Sequence, residues 1–253
     1  ELGAGTPFFA RLSKSFPKAV QEKVYPTRGT VLDHLKALGI SPAEVDYLAF
    51  DHLHTQDVRR LVGTTKPQAD ISPDGPFQAW LPNAKLIVHQ RELELFADIH
   101  PLQRPWYQPW TYTDLRRDAL LIVEGDYRLG PGVALMATPG HTPGNMSLVL
   151  NTATGLWVSS ENVIAVECLT PEHSRIPGFR SWTDESGEEL VMNGNTIETR
   201  AEQYNSTVLE KLVADPSAKD PRFLQFFPTS ELTATMLNPL ASPTFVHGAI
   251  THG

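Results

Sequence analysis

Two histidines one residue apart, His52 and His54, follow the apolar run of residues 45–50 and are flanked by Asp51 and Asp57. In an extended segment alternate side chains point to the same side, so both imidazoles can converge on one ion. The competing reading is a pair of unrelated loop histidines. A second arrangement, Thr138-Pro139-Gly140-His141-Thr142-Pro143-Gly144, sets another histidine in a turn after the apolar residues 133–137. Two prolines and two glycines fix the backbone around one polar side chain, which is more than a connector needs. A tight turn with an incidental histidine would read the same way. The chain has one cysteine, Cys168, so a cysteine-rich zinc site is excluded and any metal must be held by histidine and carboxylate. Cys168 itself reads as a small buried hydrophobe rather than a nucleophile.

The elements that position these residues are interleaved strands and helices. Residues 30–38 carry Val31, Leu32, Leu35 and Leu38 at helical spacing with Gly39 as a stop. Ser41-Pro42-Ala43-Glu44 is a helix-start signature for one short turn. Residues 45–50 read as a buried strand, 57–62 as a short helix, 85–88 as a strand and 91–99 as a helix. Strands are expected at 120–123, 133–137, 146–150, 156–159 and 223–227. Thr199 and Glu202 form a capping-box pattern opening a helix to about residue 214, with Tyr204, Val208, Leu212 and Val213 on its apolar face. Chemistry-bearing loops follow strands, as in a layered α/β protein.

Together, Asp51-His52-Leu53-His54-Thr55-Gln56-Asp57 and Thr138-Pro139-Gly140-His141-Thr142-Pro143-Gly144-Asn145 resemble the signature motifs of the metallo-β-lactamase superfamily, T-H-x-H-x-D-H and T-P-G-H-T-P-G-H. Leu81-Pro82-Asn83-Ala84-Lys85 resembles the segment between them, and the likeness covers residues 30–227. It implies a four-layer αββα sandwich in a single domain, 1–253, with strands of the fold expected to precede Glu1 and an irregular tail over 228–253. It also implies that His52, His54 and His141 hold a first metal ion. The departures concern a second ion. Gln56 and Asp57 stand where the family has Asp and His, and Asp57 is the better ligand of the two. Glu161 replaces a bridging Asp, to bridge two ions or to serve as fourth ligand to one. Ser230 stands where a last histidine is expected. His247 or His252, in the Gly-punctuated tail, is the substitute ligand, the alternative being surface residues of that tail. His34, His89, His100 and His173 are read as structural or without a role, with His89 a candidate partner to a ligand.

A divalent ion, zinc first with iron or manganese as alternatives, would activate water against an ester, lactone or amide of a small, fairly apolar molecule. Asp57 is the candidate for proton transfer. The alternative is a non-haem iron oxidoreductase on the same fold. A binding module with a decayed second site is the weaker third reading. Trp80, Trp106, Tyr107, Trp110 and Tyr112 lie between the two motifs, to wall a substrate pocket or to pack onto the domain. A net charge of −8 argues against nucleic acid, and no apolar run reaches the ~20 residues of a membrane span. Small-molecule substrate, no membrane, a homodimer and a cytoplasmic location are the corresponding expectations. The sequence opens on Glu1 with no signal-peptide pattern, although a removed export signal would leave no trace.

Overall fold

A computed structural model describes residues 17, 20, 29–54, 56–101, 103–104, 107, 112–193, 199–229 and 243–248. Ser230, His252, Trp106 and Trp110, singled out above, lie outside them. The chain divides into two compact units, 1–88 with 93–122, and 89–92 with 123–251.

In the first unit, helix α1 (Val31–Ala37) opens on Thr30, whose hydroxyl receives the Asp33 amide while the Asp33 carboxylate receives the Thr30 amide. Ser41 and Glu44 close the same reciprocal pair around a single 3-10 turn, Pro42–Glu44, as the signature required. Strand β1 (Tyr47–Ala49) pairs in parallel with β4 (Lys85–His89), and β5 (Leu120–Val123) completes a sheet of order β1-β4-β5. The strand expected over 45–50 is therefore shorter, and it is not buried: Tyr47 is 47 % exposed. Its place at one edge of the described sheet explains this, whereas the central β4 is buried from Leu86 to His89. Helix α2 (Arg59–Val62) starts two residues later than expected, and a hairpin of β2 (Pro67–Gln68) and β3 (Ser72–Pro76) follows it. Helix α3 (Gln90–Leu95), of which Gln90, Arg91 and Glu92 belong to the second unit, is shorter than the reading of 91–99. The apolar cluster of this unit joins Leu53, Val58, Val62, Leu86, Val88, Leu115 and Ala119.

In the second unit, β6 (Tyr127–Gly130), β7 (Val133–Ala137), β8 (Met146–Thr152), β9 (Gly155–Ser160) and β10 (Phe226–Pro228) form a sheet of order β10-β9-β8-β7-β6. The pairings from β6 to β9 are antiparallel and β9–β10 is parallel. Helices α4 (Phe179–Ser186) and α5 (Arg200–Val213) belong to this unit. Its apolar cluster includes Val158, Val166, Cys168, Leu169, Phe223, Phe226 and Phe245. Cys168 is fully buried, and burial pushes its thiol up to about 12, so it packs as the sequence reading held.

Helix α5 contradicts its expected amphipathicity. Its buried residues are Gln203, Ser206, Thr207 and Glu210, while Leu212 is 77 % exposed. The capping box is also absent: Thr199 makes no cap bond and instead donates its hydroxyl to the Gly140 carbonyl at 2.5 Å, and Glu202 pairs with Arg91. The polar face has partners waiting for it, which is why it turns inward. Among the described residues no helix is long and apolar enough to cross a membrane.

Candidate metal centre

Leu53 decides where its neighbours point. Its side chain is 2 % exposed in the apolar cluster of the first unit, so alternation sends His52 and His54 to the other side of the chain. The Tyr112 hydroxyl donates to the Leu53 carbonyl at 2.7 Å and holds that stretch in place. His52 is buried, and its Nδ1 lies 3.0 Å from Asp51 Oδ1. An aspartate on Nδ1 orients the ring and leaves Nε2 for a ligand. The His52 and His54 rings meet edge to face with centroids 4.5 Å apart, and Tyr107 stands against His54 at the same distance.

The His141 turn is fastened from several sides. The Thr138 amide donates to the Asn145 carbonyl at 3.0 Å and closes the loop. Asn145, where the family motif ends in histidine, is buried and donates Nδ2 to the Thr138 carbonyl, Thr138 Oγ1 and Ser160 Oγ. The two glycines are needed for close approach. A Cβ on Gly140 would stand 2.6 Å from Asn162 Oδ1 and 2.7 Å from Gln203 Cα, and one on Gly144 would stand 2.3 Å from the Glu92 backbone nitrogen. Ser206 Oγ donates to the Pro139 carbonyl at 2.6 Å, so α5 grips this turn at two successive carbonyls, those of Pro139 and Gly140.

His141 is 2 % exposed; its amide donates to Asn162 Oδ1 at 2.9 Å, its Nε2 stands 3.7 Å from Glu161 Oε1, and its Nδ1 lies 3.3 Å from Asn193 Nδ2. Asn193 Nδ2 also donates to the Glu161 carbonyl at 3.1 Å. Asn162 and Asn193 went unnoticed in the sequence. Adjacency to Glu161 was the one signal for the former, and the latter had none.

His52 and His54 in the first unit, and His141 in the second, each offer a ring nitrogen to a metal ion. Imidazoles backed in this way, His52 by a carboxylate on its Nδ1 and His141 by Glu161 beside its Nε2, are ligands of the kind a divalent ion takes. The other candidates have partners of their own. Asp57 gives both oxygens to Arg59, at 2.9 Å to Nε and 2.8 Å to Nη2, and Arg59, 2 % exposed, is also held by Asp70. His247 packs against Trp157 and Phe245, with Nε2 3.1 Å from the Phe226 carbonyl, and burial pulls its pKa down. His89 receives the Gly125 amide on Nε2, a structural bond. Of the aromatics between the motifs, Tyr107 is fully buried and Tyr112 stacks on Phe96 with centroids 3.9 Å apart, so these two pack onto their unit.

No family model matches the chain. It is similar to the N-acyl homoserine lactonase AttM of Rhizobium radiobacter, 27 % identical over 189 residues, which is 70 % of this chain and 62 % of that protein. It is 58 % identical over 118 residues to an N-acyl homoserine lactonase of Bacillus cereus, 47 % of this chain and 38 % of that one. The chain thus spans less than two thirds of the length of these relatives. Among solved structures it is similar to a probable metal-dependent hydrolase from Staphylococcus aureus, with a TM-score of 0.50 and 14 % identity, covering 72 % of this chain and 55 % of that one. The fold is the mixed α/β metallo-β-lactamase fold that the two motifs implied.

Proposed function

We propose that the protein is a metal-dependent hydrolase that opens the lactone ring of N-acyl homoserine lactones, small molecules with a polar ring and an apolar acyl chain. The histidines of the two motifs, each held by its own unit, carry the reading, and the similar sequences, which are lactonases by name, supply the substrate class. Zinc is our choice of metal, held by His52, His54 and His141, with Glu161 as a further ligand. A divalent ion on neutral imidazoles keeps its charge, so when bound it supplies Lewis acidity and brings the pKa of a water ligand toward about 7.

The protein's own part is to aim and hold. Asp51 fixes the ring of His52, Leu53 keeps His52 and His54 on one side of the chain, and the clasp of α5 fixes the backbone of His141. Asp57, gripped by Arg59, is read as setting the start of α2 rather than as the proton-transfer group. The alternative of an iron oxidoreductase has no support among the similar proteins.

The test is removal and return of the metal. Protein stripped with EDTA should lose the ring-opening of an N-acyl homoserine lactone, followed by proton release with an indicator dye, and regain it on addition of Zn²⁺. Turnover that persists without metal, or metal-loaded protein that leaves the lactone intact, rejects the reading.

A further inference from the structure

We propose that Glu210 is a positioning residue for His141, acting through the side-chain amide of Asn162; this rests on reading His141 as a metal ligand. Glu210 is fully buried on α5. Its Oε1 accepts from Asn162 Nδ2 at 2.8 Å and from Ser147 Oγ at 2.6 Å. The other hydrogen of Asn162 Nδ2 goes to the Thr138 carbonyl at 3.1 Å. With both amide hydrogens on acceptors, the carboxamide has one orientation, and Oδ1 is the end that meets the His141 amide at 2.9 Å. Turned over, it would set Oδ1 against the Thr138 carbonyl oxygen with no hydrogen between them, and its NH₂ against a backbone N–H.

A second chain of donors ends on the same oxygen. Asn145 Nδ2 donates to Thr138 Oγ1 at 3.1 Å, and the Thr138 and Ser147 hydroxyls lie 2.6 Å apart. Because the Ser147 hydrogen goes to Glu210, its oxygen accepts from Thr138, and the whole chain points toward the carboxyl. The two ends of the turn carrying His141, Thr138 and Asn145, are thereby tied to the acceptor that also orients Asn162. An aliphatic side chain would fill the same space with less desolvation, so the acceptor is there for direction rather than volume. Burial pushes the Glu210 carboxyl up to about 7, yet Oε1 accepts whether or not the group is ionised.

The experiment measures Zn²⁺ affinity by competition with a chromophoric chelator, and the visible spectrum after Co²⁺ loading, for the wild type, Glu210→Gln, Glu210→Leu and Asn162→Asp, each checked for folding by circular dichroism. Glu210→Gln keeps the accepting oxygen and should bind Zn²⁺ within about twofold of wild type. Folded Glu210→Leu and Asn162→Asp should lose about 10–100-fold in affinity, as expected when a partner behind a ligand is removed, and should shift the Co²⁺ bands. Folded Glu210→Leu with wild-type affinity and spectrum overturns the proposal. So does folded Glu210→Gln with a tenfold loss, a result that stays informative if the leucine variant does not fold. Wild-type protein that binds no Zn²⁺ overturns instead the reading of His141 as a ligand.

Discussion

Thr142 Oγ1 donates to Glu92 Oε2 at 2.6 Å, a fully buried hydrogen bond between the far half of the His141 turn and the first turn of α3. Thr142→Val keeps the shape and removes the donor. It should lower the unfolding free energy by about 1–3 kcal/mol, as a buried carboxyl that loses a hydrogen bond does, and urea titration reads this directly.

The same approach makes Gly144 irreplaceable. Gly144→Ala would press a Cβ into the Glu92 backbone, and the expected loss is at least the roughly 1–3 kcal/mol of an overpacked site. Gly75→Ala, where an added Cβ meets nothing within 4 Å, is the control and should stay within about 0.5 kcal/mol of wild type. Equal midpoints for the two variants would remove the steric account.

Glu210 predicts a pH dependence of stability. Its carboxyl is raised from 4.5 to about 7 by desolvation, against the hydrogen bonds from Ser147 and Asn162 that pull it down. Between these values the folded state keeps a proton that the unfolded state has released. The contribution is therefore complete below about 4.5 and lost as the pH rises through about 7, a change of roughly 3 kcal/mol. Glu210→Gln does not titrate, so its stability relative to wild type should climb by about that amount from pH 4 to pH 8. A flat difference across this range contradicts the assignment.

Arg59 is a buried guanidinium between two carboxylates. Asp57→Ala leaves it with Asp70, whose side chain is 57 % exposed. The loss expected lies toward the lower end of the about 3–5 kcal/mol seen when a buried pair is broken, because Asp70 and solvent still share the charge. Zinc content in Asp57→Ala that refolds at low temperature should equal that of wild type; loss of metal without loss of stability would return Asp57 to the ligand set.

Metal stoichiometry separates the histidines. His52→Ala, His54→Ala and His141→Ala should each lower bound zinc, measured by mass spectrometry on dialysed protein. His247→Phe should leave it unchanged, since that ring is committed to Trp157, Phe245 and the Phe226 carbonyl.

The histidines were legible in the sequence because their message is local. An apolar Leu53 between two imidazoles, or a glycine on either side of His141, means the same thing wherever the segment lies. Most strands of the second sheet were legible for a similar reason, since Val133–Ala137 and Met146–Thr152 carry long apolar runs. β6 and α4 were missed, Tyr127–Gly130 being short and mixed and Phe179–Ser186 having no buried residue to show a face. Thr199 misled because its hydroxyl had a better acceptor in Gly140, 59 positions away, than in its own helix. The roles of Asn162, Asn193 and Glu210 depend on partners from distant segments, and no pattern along the chain announces such a meeting.

Helix α5 has the carboxamide of Gln203, the hydroxyls of Ser206 and Thr207 and the carboxyl of Glu210 inside and its leucines outside, and this reverses the usual advice for engineering a helix. Moving Leu209 or Leu212 inward to strengthen a presumed oily stripe would evict the groups that clamp Pro139 and Gly140. Trading Leu212 for a charged residue should instead improve solubility while every inner tether stays where it is.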